Sequence, residues 1–316
     1  MNFTKGREFV YRNARPLEMA LWEFHFEHGS AEEVLKRLAF FQNEDGGFGH
    51  AIEADFWNPH STPIGTWKAT EILAEIGFSD NEHPMIQGIL RYLDSKEGYD
   101  EKTGQWENTL PSNNDYPHAI WWENHDRPTE FNPNPSAALT GFILTHAEKE
   151  SSLYRKGCDM AKRLFDYMVE HCPIKETHII SCYMRLYQCL GQFGEDVVRA
   201  ADGAVIADMA QFRRCLQEMV DCDLCREVER WGKEYVSMPS QYIDTPKSFL
   251  YEENQELVKE ECRLIKEQQL ADGSFVVPWS WCTDYKEYEI AVNWWKSELI
   301  LKKFLFLQAF GELDLK

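Results

Sequence analysis

The chain has 316 residues, 43% of them hydrophobic and 14% aromatic, with 11 tryptophans, a composition that supplies a large core and excludes intrinsic disorder. A formal net charge of −20 repels a phosphate backbone and argues against a nucleic-acid partner. No run of about 20 apolar residues is present to span a membrane.

Met1–Glu8 lack the apolar stretch of an export signal, so a cytoplasmic location is expected. Nine cysteines at irregular spacing fit free thiols in that reducing compartment, behaving mostly as small buried hydrophobes. A helix is expected over Ala31–Gln42. Ser30 and Glu33 form a capping box, and Val34, Leu35, Leu38 and Phe41 share one face. Thr62-Pro63 opens the next helix, with Ala69, Ile72, Leu73 and Ile76 as its stripe and Gly77 as its stop. A long loop spans about Thr103–Pro133, of a kind often used for lids or binding.

Asn134-Pro135 repeats the helix start. Ser136–Ala147 carries no acid or base before Glu148 and is expected to be buried on most sides. Tyr154–His171 is strongly amphipathic, Ile179–Leu190 mostly apolar, Asp196–Val220 and Glu252–Gln269 charged, and Ile290–Leu307 apolar and aromatic. Ser274–Val277 is the best strand candidate and is too short to build a sheet. Charged and apolar helices thus alternate at roughly 50 residues per pair, the self-similarity of a repeat architecture. The expectation is an all-α, single domain over residues 1–316, an α/α toroid of about five to six hairpins with apolar helices inside and amphipathic ones outside.

The loops share a theme. Gln42-Asn43-Glu44-Asp45-Gly46-Gly47-Phe48-Gly49 is matched by Gln268-Gln269-Leu270-Ala271-Asp272-Gly273-Ser274-Phe275, and in degraded form by Asp94–Trp106. Asp bonds nearby amides, Gly supplies positive φ and the aromatic folds back to pack. This motif resembles the Gln-x-x-Asp-Gly-x-Phe/Trp repeat of the terpenoid cyclase and protein prenyltransferase superfamily. Phe40–Ala74 and Trp231–Tyr235 resemble a bacterial, prenyltransferase-like branch of it. The resemblance implies a toroid in which Gln42, Asp45, Gln268 and Asp272 tie hairpins together as scaffold. The catalytic motifs of that superfamily are absent. Asp221-Cys222-Asp223-Leu224 lacks the final acid of Asp-x-Asp-Asp, no Asp-Asp-x-x-Asp occurs, and no zinc set falls in the family pattern.

Candidate chemistry follows the first motif. Glu53, Asp55 and His60 offer carboxylates and an imidazole for acid–base work, with His50 beside them as a ligand contact. The same residues also fit a capping and loop-bracing network. His118, Trp121, Trp122 and Glu123 in the long loop fit either a pocket or a plug. Trp279 and Trp281, with Trp294, Trp295 and Asp284, form an aromatic cluster able to hold a sugar or an isoprenoid, although aromatics at helical spacing are more often core. Cys215, Cys222 and Cys225 lack an apparent fourth zinc ligand and fit cysteines on a helix face better than a metal site, and the sequence names no cofactor.

Three functions remain in play. One is an aromatic-lined cavity that binds or converts an isoprenoid-like apolar molecule. Another is a carbohydrate-active hydrolase or lyase using Glu53, Asp55, Glu123 or Asp284 as acids. The third is a non-catalytic binding or scaffold protein. The expected partner is a small molecule, apolar or sugar.

Overall fold

The computed structural model describes residues 1–125 and 130–314; residues 126–129, inside the long loop, lie outside that range. Eleven helices and two short hairpins are present among the described residues, so the chain is mostly helical. No helix is long and apolar enough to cross a membrane among these residues.

By contact the chain divides into two compact units. The first holds Met1–Phe40, His118–Ile120 and the chain from Leu224 onward. Its helices are α1 (Phe3–Asn13), α2 (Pro16–Phe26), α3 (Ala31–Leu38), α10 (Tyr251–Gln268) and α11 (Tyr288–Ala309). α11 packs on α1, α2 and α10, and α2 packs on α3. Their shared core is aromatic: the Trp22 ring lies 4.6 Å from Phe26 and 5.1 Å from Phe3, and Phe304 stacks on Phe3 at 5.6 Å.

The second unit holds Phe41–Pro117 and Trp121–Asp223. It contains α4 (Pro63–Glu75), α5 (Pro84–Ser95), the hairpin β1 (Tyr99–Asp100) with β2 (Gln105–Trp106), α6 (Ser136–His146), α7 (Ser152–His171), α8 (Thr177–Gly191), the hairpin β3 (Val197–Arg199) with β4 (Val205–Asp208), and α9 (Met209–Asp223). Within it α4, α6 and α8 form one row and α5, α7 and α9 a second, with α6 packed on members of both. α6 is buried from Ser136 to Leu144, as its lack of charge predicts.

The caps expected at Ser30 and Thr62 form: Ser30 accepts from the Glu33 amide and Thr62 from that of Gly65. Three helices have signals that the periodicity did not expose. α1 is capped by Asn2, while α2 and α5 each carry proline in the first turn. The helix expected from Asp196 starts only at Met209, because residues 197–208 form the second hairpin. Its Asp202-Gly203 turn sits between β-branched valines, with Gly203 at φ 87, and an Asp-Gly turn of this kind outweighs helix propensity.

The repeated loop is built the same way twice, once in each unit. Gln42 Nε2 donates to the Gly46 carbonyl at 2.9 Å and to the Met85 carbonyl at the start of α5 at 3.2 Å. Gln269 Nε2 donates to the Gly273 carbonyl at 2.9 Å and to the Asn2 carbonyl at the start of α1 at 3.0 Å. The matching residue is therefore Gln269 rather than Gln268. Each Asp turns inward: Asp45 accepts from the Gly47 amide at 2.9 Å and Ser61 Oγ at 2.6 Å, and Asp272 from the Ser274 amide at 3.0 Å and Oγ at 2.8 Å. A basic residue of the receiving helix completes each latch. Arg91 donates to the Glu44 carbonyl at 3.1 Å, and Lys5 to that of Ala271 at 3.0 Å. These side chains are spent on structure, as the resemblance implies.

The glycines make the contact possible. Gly46 (φ 96) and Gly273 (φ 92) lie so close to the receiving helices that an added Cβ would sit 2.0 Å from the Gly88 carbonyl oxygen and 2.2 Å from that of Lys5. Gly77, at φ 66, meets nothing within 4 Å. Gly46→Ala and Gly273→Ala are each expected to destabilise by about 2–4 kcal/mol, conformational strain plus overpacking. Gly77→Ala should cost only the strain, about 1–2 kcal/mol. Denaturant melts of the three variants test this, and equal losses would count against the close approach.

Candidate functional site

Two apolar helices of the second unit carry charges that their burial makes conspicuous. On α4, Glu71 accepts from Arg185 of α8 in a two-pronged pair, Nη2 to Oε2 at 2.6 Å and Nε to Oε1 at 3.0 Å. Trp67 Nε1 adds a hydrogen bond to Glu71 Oε1 at 3.2 Å, and Arg185 Nη1 donates to Gln188 at 2.9 Å. One turn back on α4, Lys68 Nζ stands 3.9 Å from Glu53, with the two side chains only 17% and 12% exposed.

The amino end of α8 adds a titratable pair. Glu176 caps the helix, accepting from the amides of His178 at 3.1 Å and Ile179 at 2.7 Å. Its Oε1 also meets His178 Nδ1 at 2.6 Å. The hydrogen bond to Glu176 raises the His178 pKa against the pull of burial, and Glu53 and Asp223 add to the rise. Burial pushes Glu176 up, but His178 and the two helix amides together hold its carboxyl below the usual range. Burial raises the Cys182 thiol well above its ordinary value, and the charges of Glu71, Glu176 and Arg185 all reach it. Glu53, Lys68, Glu71, Glu176, His178 and Arg185 are thus one electrostatic neighbourhood.

A cavity of about 330 Å³ adjoins the same helix end, with Ile179 in its wall. The rest of the lining is polar except for Phe131: Gln105, Glu107, Asn108, Glu130 and Asn132. Buried Gln105 shapes it, donating from Nε2 to the Glu130 carbonyl at 3.1 Å and accepting from the Asn132 amide at 2.5 Å. The Arg163 guanidinium lies 4.3 Å from the Phe131 ring. Asn108 Oδ1 is buried and meets no hydrogen-bond donor among the described residues.

The residues expected from sequence divide between the units. His50, Glu53, Asp55, His60, Trp121, Trp122 and Glu123 belong to the second, whereas His118, Trp279, Trp281 and Asp284 belong to the first. Of these, Glu53 is placed in the charged neighbourhood. Asp55 is buried, at 4% exposure. His50 and His60 are exposed and brace loops, through Asn43 Oδ1 at 2.8 Å and the Tyr116 hydroxyl at 3.2 Å. Trp122 lies on Phe56, ring centroids 5.7 Å apart, with a buried Nε1 that meets no acceptor. Trp121 and Glu123 are exposed.

In the first unit, buried His118 lies 5.5 Å from the Tyr285 ring. Trp281 is core, its carbonyl accepting from the Ile120 amide at 2.9 Å. Trp279 stands edge-on to Trp295 at 5.1 Å, and Asp284 is exposed.

Periodicity passed over Lys68, Glu71, Glu176, His178 and Arg185 because the helices around them read as apolar. The available signal was the charge itself: an ionisable group inside an apolar stripe is expensive unless paired. The cavity residues lie in the long loop, where no period exists to betray them. No family model matches the chain, and neither a curated protein nor a solved structure matches it.

The pair at α8 has a pH signature. The folded His178 value exceeds 6.5, so its contribution to stability is fully present below pH 6.5 and is lost as pH rises through the folded value. The folded Glu176 value is below 4.5, so its contribution is present above pH 4.5 and is lost as pH falls through the folded value. The pair is therefore strongest between these limits. NMR titration of His178 should give a midpoint above 6.5, and Glu176→Gln should lower it, because the hydrogen bond to that carboxylate is the largest cause of the rise. An unchanged midpoint in that variant would remove Glu176 as the cause.

Proposed function

We propose that the chain binds a small polyhydroxylated ligand of the saccharide class in the cavity at the amino end of α8, with His178 and Glu176 as the acid–base pair beside it. The proposal places the chain among carbohydrate-active hydrolases or lyases built on an α/α toroid. The recurrence of one loop in both units, and the two helix rows of the second unit, support that architecture.

The observation that carries the reading is the set of hydrogen-bonding residues around the cavity. Five of its seven lining residues are amides or carboxylates, and Asn108 holds a buried carbonyl oxygen that meets no donor among the described residues. A sugar hydroxyl both donates and accepts and can satisfy such groups. An isoprenoid brings neither, and leaves each desolvated group at a cost of about 1–3 kcal/mol. The resemblance to terpenoid cyclases and prenyltransferases then supports a shared scaffold with different chemistry. An apolar, isoprenoid-like ligand is the second reading. It draws on the Trp279–Trp295 pair in the first unit, where the Tyr235 ring stands 6.5 Å from that of Trp279.

Thermal melts with cello-, xylo- and chito-oligosaccharides on one side, and prenyl diphosphates with magnesium on the other, separate the two. A saccharide at about a hundred times its dissociation constant should raise the melting temperature by several degrees. Asn108→Leu should abolish that rise while leaving the unliganded melt near wild type. A response to prenyl diphosphates alone would favour the second reading, and no response to either class would leave a scaffold protein.

A further inference from the structure

We propose that Cys172 and Cys215 are a redox modification site, a dithiol that a hydroperoxide oxidises to an intramolecular disulfide.

The chain brings these two thiols together across 43 residues of sequence. Cys172 follows the last residue of α7, and Cys215 lies on the buried face of α9. The Cys172 thiol reaches the Cys215 carbonyl at 3.6 Å and the Glu218 carboxylate at 3.5 Å. The Cys172 sulfur therefore lies against the Cys215 residue itself, and such proximity is the first geometric demand of a disulfide, which fails when the Cβ vectors diverge. Cys172 is half-buried and Cys215 buried, so an oxidant meets Cys172 first. Burial pushes Cys172 up to about 12, and raises Cys215 as well. Both rest as thiols, and oxidation is slow until the peroxide load is sustained.

The chemistry closes without a further reactant. Cys172 passes its proton toward the Glu218 carboxylate, and its sulfur attacks one peroxide oxygen. The O–O bond breaks, and the second oxygen leaves as water. The Cys215 sulfur then displaces the sulfenic hydroxyl, the S–O bond breaks, and a second water carries away the Cys215 proton. Two thiols become one disulfide while one hydrogen peroxide becomes two waters.

The staple would join the end of α7 to α9. Between them runs the link Pro173–Glu176, which carries the carboxylate paired with His178. Oxidation would therefore fix the mount of that pair. Of the other cysteines, Cys222 and Cys282 are exposed, Cys225 is half-buried, and Cys158, Cys182, Cys189 and Cys262 are buried.

The full chain, treated with hydrogen peroxide at pH 8 and then alkylated, is digested and mapped by mass spectrometry. The expected product is the Cys172 peptide joined to the Cys215 peptide with the loss of two hydrogens. It should be reversed by dithiothreitol, and absent in Cys172→Ser and in Cys215→Ser. The oxidised wild type should melt several degrees higher, because a loop of this length is closed in the unfolded chain. Cys172 and Cys215 still free after Cys222 and Cys282 have oxidised, or either one trapped as sulfinate or joined to another cysteine, would overturn the proposal.

Discussion

The Gln–Asp-Gly latch is the contact on which the helical array depends. A loop that crosses a helix start must satisfy its own polar groups and also hold to the first turn of that helix. The Gln side chain does both jobs, closing its own turn and bonding the receiving helix through one amide nitrogen. That geometry brings backbone against backbone, which only glycine permits at Gly46 and Gly273. The latch therefore fixes the height at which α5 and α1 meet their loops. In the second unit it also sets where the chain resumes: the Phe48 carbonyl accepts from the Thr62 amide at 3.0 Å, and the Phe48 amide bonds Thr66 Oγ1 at 3.1 Å. Glu53 and Asp55 lie on the excursion between those two ties.

With the rows so fixed, α4 and α8 can present charges from otherwise apolar faces. Isolated, such groups would neutralise or destabilise the fold. In the structure each has a partner of opposite charge type: Glu71–Arg185, Glu53–Lys68 and Glu176–His178. The first pair is 30% exposed on both sides, so solvent screening leaves it a modest contribution to stability. Its value is orientation: a planar guanidinium gripping one carboxylate leaves little rotational freedom. The first unit handles charge differently. Glu261 is buried and accepts from both the amide and the hydroxyl of Ser240, yet burial still raises its pKa. That carboxylate anchors a turn to α10.

What the sequence made legible follows from what has a period. α7 and α10 were visible because charge and apolarity alternate around a helix, α6 because it carries no charge at all, and the loop motif because it recurs. The hairpin at 197–208 was hidden inside a charged stretch whose Asp202-Gly203 turn is local and carries no period. The same limit hid the site. Glu71 and Arg185 are 114 residues apart, and nothing in either helix announces the other. His50 and His60, which composition made prominent, are committed to Asn43 and Tyr116. Histidines in a polar loop are as well suited to bracing that loop as to chemistry, and only geometry distinguishes the two.

The electrostatics of α8 tie the chain's acidity to its proposed chemistry. A helix amino terminus carries partial positive charge, which favours the Glu176 carboxylate and disfavours a protonated imidazole two residues on. Left to the helix end alone, the half-exposed His178 would hold its proton less firmly. Glu176 reverses this at 2.6 Å, and Glu53 and Asp223 reinforce it from outside the helix. The excess of acids over bases is thus put to local use. It favours the protonated form of an imidazole one residue before Ile179, which lines a cavity rich in amides and carboxylates. A hydroxyl-bearing ligand there would find acceptors for its protons and, beside them, a protonated donor for an oxygen that must leave. A neutral imidazole could accept but not donate, so the acid pair around His178 decides in which direction a proton can move.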